Sequence, residues 1–124
     1  MEQLGKTSKI MLFEGGEIIG HEGRRSRGWF ILLSGRVGVF KQQLKLAEFT
    51  QKGMVFGEIS TILDRPRTAT LKAIVTSEVL YIEESLDQLI VTHPDIARKI
   101  IVSLAERLTK TTDDYCGAMA NRRY

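Results

Sequence analysis

Short apolar runs separated by glycine and polar residues occupy the first two thirds of the chain. Between residues 9 and 83 these runs are K-I-M-L-F, W-F-I-L-L, R-V-G-V-F, L-A-E-F, A-T-L-K-A-I-V and V-L-Y-I-E. Many short strands at regular spacing, bounded by turn residues, are typical of a sandwich, a jelly roll or a barrel. The pattern therefore predicts a mainly β unit over about 9–83.

A helical period replaces this pattern near residue 85. Ser85 and Gln88 have the spacing of a capping box, which predicts a short helix that ends near Thr92-His93-Pro94. A second helix is expected from Pro94, because apolar residues then recur every four positions. Those residues are Ile96, Ile100, Leu104 and Leu108. We predict helices over about 85–113 and a polar, frayed or disordered tail over 114–124.

Composition limits the classes of protein to consider. The 124 residues fit one domain, and 18 basic against 15 acidic residues give a net charge of +3, which is too mild to indicate nucleic-acid binding by this chain alone. A single cysteine, Cys116, rules out an internal disulfide framework and indicates a reducing compartment. No apolar run approaches the roughly 18–20 residues that span a bilayer. We expect a cytoplasmic protein without membrane contact.

One segment combines groups that suit a small oxyanion and a hydroxyl. It reads Phe56-Gly57-Glu58-Ile59-Ser60, followed by Pro66-Arg67-Thr68-Ala69-Thr70-Leu71. Gly57 permits a positive φ and close backbone approach, and residues 58–63 read as a short helical turn whose first amide groups, at Ile59 and Ser60, have no internal partner. Arg67 can donate to two oxyanion oxygens at once, and the Glu58 carboxylate can accept a hydrogen bond from a hydroxyl. We expect Ile59, Ile62 and Leu63 on the inner side of the turn.

This segment resembles the phosphate-binding cassette of the cyclic nucleotide-binding domain family, of the catabolite-activator and protein kinase regulatory-subunit type. The resemblance extends over about 9–110, through the Gly15-Gly16-Glu17 turn and a hairpin over 29–40. It implies one domain over 1–124, with a jelly-roll-like β-roll, or double-stranded β-helix, of about eight antiparallel strands. A short cassette helix and two C-terminal helices would complete the fold.

The resemblance also implies a ligand and its contacts. Arg67 would hold the phosphate and Glu58 the ribose 2′-hydroxyl, with cyclic AMP as the first choice and cyclic GMP as the second. Thr68 permits cyclic GMP without excluding cyclic AMP, and Tyr115 is a weaker candidate for a lid over the base. Ala47 and Phe49 either pack on the base or serve as ordinary core residues. The predicted ligand-binding residues are Ala47, Phe49, Gly57, Glu58, Ile59, Ser60, Arg67, Thr68 and Ala69.

By this resemblance the protein is a sensor without catalytic activity, and it needs no cofactor or metal besides its ligand. Ligand would make the C-terminal helices repack and signal to a protein effector or a second copy. An interaction module that no longer responds to nucleotide remains open. A cupin-like metalloenzyme is disfavoured because His21 and His93 lie far apart in sequence. A basic loop contains Arg24, Arg25 and Arg27. We favour the interpretation that these arginines are ordinary solvated surface residues, and binding of a phosphate or a partner is the open alternative.

Overall fold

The computed structural model describes residues 8–25 and 27–122, and the side chains of Thr111 and of residues 114–122 lie outside that description. The described chain forms eight strands and three helices. The strands are β1 (Ser8–Phe13), β2 (Ile18–Gly20), β3 (Trp29–Ser34), β4 (Val37–Lys41), β5 (Leu44–Phe49), β6 (Val55–Phe56), β7 (Thr70–Ala73) and β8 (Ser77–Ile82). The helices are α1 (Glu58–Leu63), α2 (Leu86–Thr92) and α3 (Pro94–Arg122).

The strands form two antiparallel sheets of four. One sheet has the order β1-β8-β3-β6, and the other has the order β2-β7-β4-β5. Apart from the β4-β5 hairpin, which lies within one sheet, successive strands alternate between the sheets, so the chain winds as a roll, with α1 inserted between β6 and β7. The expectation of a mainly β fold with C-terminal helices, a β-roll of about eight antiparallel strands, is confirmed.

β3 is apolar at successive positions because it is buried on both faces. Phe30 and Leu32 belong to a cluster between the two sheets, whereas Trp29 belongs to a second cluster beneath the helices. Side chains of a strand alternate between its faces, so a strand covered on both sides needs apolar residues at both sets of positions. The run W-F-I-L-L thus identifies the strand that lies between two layers of the core.

The first cluster, between the sheets, contains Phe13, Phe30, Leu32, Val37, Phe56, Leu71, Ala73 and Val79. The second cluster, between the β1-β8-β3-β6 sheet and the C-terminal helices, contains Trp29, Val55, Ile82, Leu89, Ala97 and Ile100. Each cluster buries apolar side chains that would otherwise face water. This burial stabilises the fold by roughly 25 cal/mol per Å² of apolar surface removed from water. The second cluster fixes α2 and α3 against the roll.

The predicted capping box starts α2. The Ser85 side chain accepts a hydrogen bond from the Gln88 backbone amide, and the Gln88 side chain accepts one from the Ser85 amide, each at 3.2 Å. These two bonds satisfy amide groups that have no partner inside the helix. The helix ends at Thr92, as the sequence predicts, and Pro94 begins α3.

α3 is longer than the sequence pattern indicates. It runs through residues 114–122, which were expected to form a polar tail, so that expectation is corrected. The segment lacks an apolar period, but it also lacks proline, and its one glycine, Gly117, costs only about 1 kcal/mol relative to alanine. Within residues 8–25 and 27–122, no helix combines the length and the apolar character needed to cross a membrane.

Candidate ligand-binding cavity

A cavity of about 300 Å³ opens between α1, the segment leading into β7, and α3. All of the predicted site residues except Ala47 line it. Its lining residues are Val39, Phe49, Gly57, Glu58, Ile59, Ser60, Leu63, Arg65, Pro66, Arg67, Thr68, Ala69, Leu71 and Arg107. Ala47 is exposed on β5, opposite Val39, and its short side chain does not reach the cavity.

Gly57 forms the turn that precedes α1 and positions the residues of the site. Its φ of 73° lies in the left-handed region that glycine adopts without steric cost. A Cβ atom at this position would lie 2.8 Å from Phe30 Cδ2 and 2.9 Å from Arg67 Nη1, closer than real Cβ atoms approach their neighbours. Backbone torsion and close packing therefore both require glycine, and the turn brings α1 next to Arg67.

The faces of α1 differ from the sequence prediction. Glu58 and Ser60 are the buried residues of the helix, whereas Ile59 is 54% exposed and Leu63 is 52% exposed. Only Ile62, of the three apolar residues, packs against the second cluster. The Ser60 hydroxyl donates a hydrogen bond to the Arg65 carbonyl, which closes the helix onto the following segment. Polar contacts, rather than burial of apolar side chains, thus determine which face of this short helix is turned toward the protein interior.

The charged side chain of Arg67 is almost completely buried. Its side chain is 9% exposed, its guanidinium carbon lies 5.4 Å from the centre of the Phe30 ring, and Nη1 donates to the Gly57 carbonyl at 3.4 Å. Burial lowers the pKa of Arg67, and the charges of Tyr81 and Glu58 act in the opposite direction. Because arginine titrates so far above neutral pH, the guanidinium stays charged.

Glu58 is held by a residue that the sequence reasoning did not single out. Arg107 of α3 donates from Nη1 to Glu58 Oε1 at 2.6 Å and from Nη2 to the Val55 carbonyl at 3.1 Å. Its guanidinium also lies 5.6 Å from the centre of the Phe49 ring. Arg107 follows Leu104 by three positions and Ile100 by seven, so helical spacing places it on the inward face of α3. That spacing was the available signal.

The cavity thus combines four kinds of group within one small volume. The Arg67 guanidinium and the first amide groups of α1 are donors for an oxyanion, and Glu58 is an acceptor for a hydroxyl. Apolar side chains line the remainder, among them Val39, Phe49 and Leu71. Among the described residues, no three His, Cys, Asp or Glu side chains come together as metal ligands would. The Tyr115 side chain, considered as a lid, lies outside the described side chains.

Comparison with known sequences identifies relatives that share this domain. Lysophospholipase NTE1 of Pyricularia oryzae is 32% identical over 105 residues, which is 80% of this chain and 7% of that enzyme. The HTH-type transcriptional regulator Cmr of Mycobacterium tuberculosis is 24% identical over 110 residues, covering 86% of this chain and 45% of the regulator. The chain therefore spans less than half the length of these relatives.

Solved structures share the fold. The catabolite activator protein of Thermus thermophilus superposes with a TM-score of 0.74 at 26% identity, over 88% of this chain and 54% of the activator. The cAMP-bound PfPKA-R superposes with a TM-score of 0.68 at 29% identity, over 88% of this chain and 37% of that protein. The profile of the cyclic nucleotide-binding domain family matches residues 10–93. This chain belongs to the cyclic nucleotide-binding domain family.

Proposed function

We propose that this chain binds a cyclic mononucleotide reversibly, without performing chemistry on it, and passes the binding event on through α3. Cyclic AMP is the first candidate ligand and cyclic GMP the second. The observation that carries the proposal is Arg67. Within the described residues, this buried guanidinium makes one long side-chain hydrogen bond, and it lines a cavity beside the first amide groups of α1. Such a group is suited to receive an anion.

The ribose would be recognised by Glu58. Glu58 is 2% exposed, and an ionised carboxylate can only accept hydrogen bonds. A ribose 2′-hydroxyl supplies a donor, whereas a deoxyribose leaves that position of the carboxylate without one. An unsatisfied buried polar group costs roughly 1–3 kcal/mol, so ribose is expected to be preferred.

The base would lie against the apolar part of the cavity. Phe49 offers its ring, which stacks on Phe56 with centroids 5.5 Å apart, and Val39 and Leu71 continue the apolar surface. Thr68 also lines the cavity, and its hydroxyl would suit a phosphate oxygen or the exocyclic amine of guanine. The preference for cyclic AMP is supported by similarity to the cAMP-bound PfPKA-R and, at 36% identity over 67 residues, to the cAMP-dependent protein kinase regulatory subunit of Hypocrea atroviridis.

The response would start at the contact between Glu58 and Arg107. One carboxylate would serve both the ribose hydroxyl and the guanidinium of α3, so ligand occupancy and the position of α3 affect each other. A ligand shifts a conformational equilibrium only through such a difference in contacts between the two states. We propose that α3 then presents a changed surface to a protein effector or to a second copy of this chain.

An interaction module that does not respond to nucleotide is the second candidate function. Exposed apolar side chains on the two C-terminal helices favour it, since Val91 is 80%, Ile101 66% and Leu108 68% exposed. Ile101 and Leu108 are seven residues apart on α3 and so share one face of the helix, and contiguous exposed apolar surface is typical of contact surfaces. In this alternative the pair of Glu58 and Arg107 would be a permanent structural link.

A thermal melt with cyclic AMP, cyclic GMP and linear AMP tests the proposal. Ligand at a hundredfold excess over its Kd adds about 2.7 kcal/mol to the free energy of unfolding, which raises Tm by several degrees for a chain of this size. Arg67→Ala should weaken binding by about 3–5 kcal/mol, because the phosphate loses its charged partner. Arg98→Ala, an exposed site on α3, is the matched control.

A rise in Tm with one cyclic nucleotide, retained in Arg98→Ala and lost in Arg67→Ala, would support the sensor and identify its ligand. Equal shifts with linear AMP would show that the cyclic phosphate is not what the cavity recognises. If no nucleotide changes Tm, the interaction module becomes the better account.

A further inference from the structure

A second cavity, of about 410 Å³, lies against the other side of the Arg67 side chain. Strands β1, β2, β3 and β8 contribute to it, together with the loop between β2 and β3. Within the described chain, Arg67 is the one residue that lines both cavities. The charged residues of this second cavity are Lys9, Arg24, Arg25, Arg27, Arg67 and Glu83.

The charges of this cavity are strongly unbalanced. Five permanent cations face one carboxylate, and Glu83 already accepts a hydrogen bond from the Tyr81 hydroxyl at 3.3 Å. Arg25 pairs with Asp64 at 3.0 Å, where both side chains are exposed. For the described residues, no ion pair compensates Lys9, Arg24 or Arg27. Like charges held close together repel one another, and a bound anion would relieve that repulsion.

The basic loop is fastened to the segment that carries Arg67. The Gly23 amide donates to the Arg67 carbonyl at 2.7 Å, and the Arg67 amide donates to the Arg24 carbonyl at 2.8 Å. These two backbone bonds hold the loop beside the cavity independently of any side chain. Less conformational entropy is therefore lost when the cations close on a ligand, which favours binding.

The floor of the cavity is the buried guanidinium of Arg67, which lies over the ring of Phe30. Gly20 makes room for Arg67, since a Cβ there would lie 2.7 Å from Arg67 Nε. Behind it, the Phe30 and Tyr81 rings pack with centroids 5.0 Å apart. A guanidinium removed from water at the bottom of a concave site attracts an anion more strongly than exposed arginines do.

We propose that this second cavity binds a small multivalent phosphate, of the size and charge of pyrophosphate, between the basic loop and Arg67. The concave volume of about 410 Å³ accommodates such a ligand, and the charges that line the cavity favour an anion. Two linked phosphate groups carry more negative charge than one, so the five cations would attract them more strongly than a single phosphate. The assignment does not depend on the cyclic nucleotide proposed for the first cavity.

Isothermal titration with inorganic pyrophosphate tests the site. Arg24→Gln combined with Arg27→Gln should weaken pyrophosphate binding about tenfold or more, because two guanidinium partners are lost. Arg98→Gln combined with Lys99→Gln removes the same charge from the exposed surface of α3 and should leave the affinity within about twofold of the unaltered protein. Circular dichroism and Tm establish that both double variants are folded.

Three results would overturn the proposal. They are no binding of pyrophosphate by the unaltered protein, the same affinity in the loop variant, or an equal loss in both double variants. Orthophosphate should bind at least about tenfold more weakly than pyrophosphate, and equal binding would also contradict a site for linked phosphates.

A phosphorylated lipid headgroup offers the same chemistry from another source. Flotation with vesicles that contain a phosphoinositide bisphosphate separates the two, because vesicle binding without pyrophosphate binding would reject the soluble ligand. Cyclic AMP is titrated in parallel. The loop variant should retain cyclic AMP binding, and a protein that binds pyrophosphate but no cyclic nucleotide would refute only the function proposed for the first cavity.

Discussion

At the residue scale, Gly57 sets the geometry of the first cavity through both its backbone and its neighbours. Gly57→Ala should destabilise the protein by roughly 2–4 kcal/mol. About 1–2 kcal/mol of this reflects the positive φ, and the remainder reflects overpacking against Phe30 and Arg67. Urea unfolding measures the change in the free energy of unfolding.

Gly53→Ala separates the two contributions. Gly53 has a φ of 89°, but a Cβ there would have nothing within 4 Å. Its substitution should therefore cost only the backbone strain, about 1–2 kcal/mol. If the two variants lose the same stability, the packing around Gly57 tolerates a methyl group, and the requirement for glycine is a matter of backbone torsion alone.

Glu58 should determine the choice between ribose and deoxyribose. Glu58→Gln keeps the shape of the side chain but removes its charge. With the amide oxygen facing Arg107, the amide nitrogen faces the ribose and cannot accept a hydrogen bond from the 2′-hydroxyl. We expect the ratio of Kd values for 2′-deoxy cyclic AMP and cyclic AMP to fall by about tenfold or more from that of the unaltered protein. Titration calorimetry with both ligands measures it.

Glu106→Gln is the matched control, because it removes an exposed carboxylate next to Arg107 in sequence. It should leave the ratio unchanged. An intact preference for ribose in Glu58→Gln would show that another group contacts the 2′-hydroxyl.

At the scale of elements, the pair of Glu58 and Arg107 links α3 to α1 across 49 residues of sequence. Arg107→Gln should lower the free energy of unfolding by about 1–3 kcal/mol, since it weakens the pairing of a carboxylate that is 2% exposed. The expected loss of stability is moderate because the Arg107 side chain is itself 35% exposed, and water screens its charge. Urea unfolding without ligand provides the measurement.

Arg98→Gln replaces an exposed arginine of the same helix and should change stability by less than about 0.5 kcal/mol. Equal stability of the two variants would mean that the contact with Glu58 adds nothing to the attachment of α3. The second cluster, through Ala97 and Ile100, would then hold the helix alone.

Strands long enough to show an apolar run were predictable from the sequence, and so was the position of α1, but the two shortest strands and the buried side of α1 were not. The apolar runs coincide with β1, β3, β4, β5, β7 and β8, whereas β2 and β6 have only three and two residues. α1 is shorter than two turns, so its apolar residues could not decide which side is buried. The contact of Arg107 with Glu58 joins distant segments, and no local pattern encodes such a pairing.

At the scale of the whole molecule, the β1-β8-β3-β6 sheet belongs to both apolar clusters. Phe30 points into the cluster between the sheets, and its neighbour Trp29 points into the cluster beneath the helices. Because one sheet separates and supports both, loss of either cluster exposes the other. We expect the two to unfold in a single cooperative transition.

Trp29 provides the measurement, because it is the one tryptophan of the chain and is fully buried beneath α2 and α3. Its fluorescence in urea should change at the same midpoint as the far-ultraviolet circular dichroism of the whole fold. A fluorescence midpoint at clearly lower urea would contradict the single transition and show that the helices detach before the roll unfolds.

Because α3 is long, a small rotation at the Arg107 contact would produce a larger displacement at the end of the helix. The 29 residues of the helix extend about 44 Å at about 1.5 Å per residue, and the part beyond Arg107 measures about 22 Å. A tilt of about 10° about Arg107 would displace the end near Arg122 by about 4 Å, the dimension of a side chain, on this geometry. A small shift of the Glu58 carboxylate would thus move the last turns of α3 by several ångströms, which is enough to change a contact with another protein.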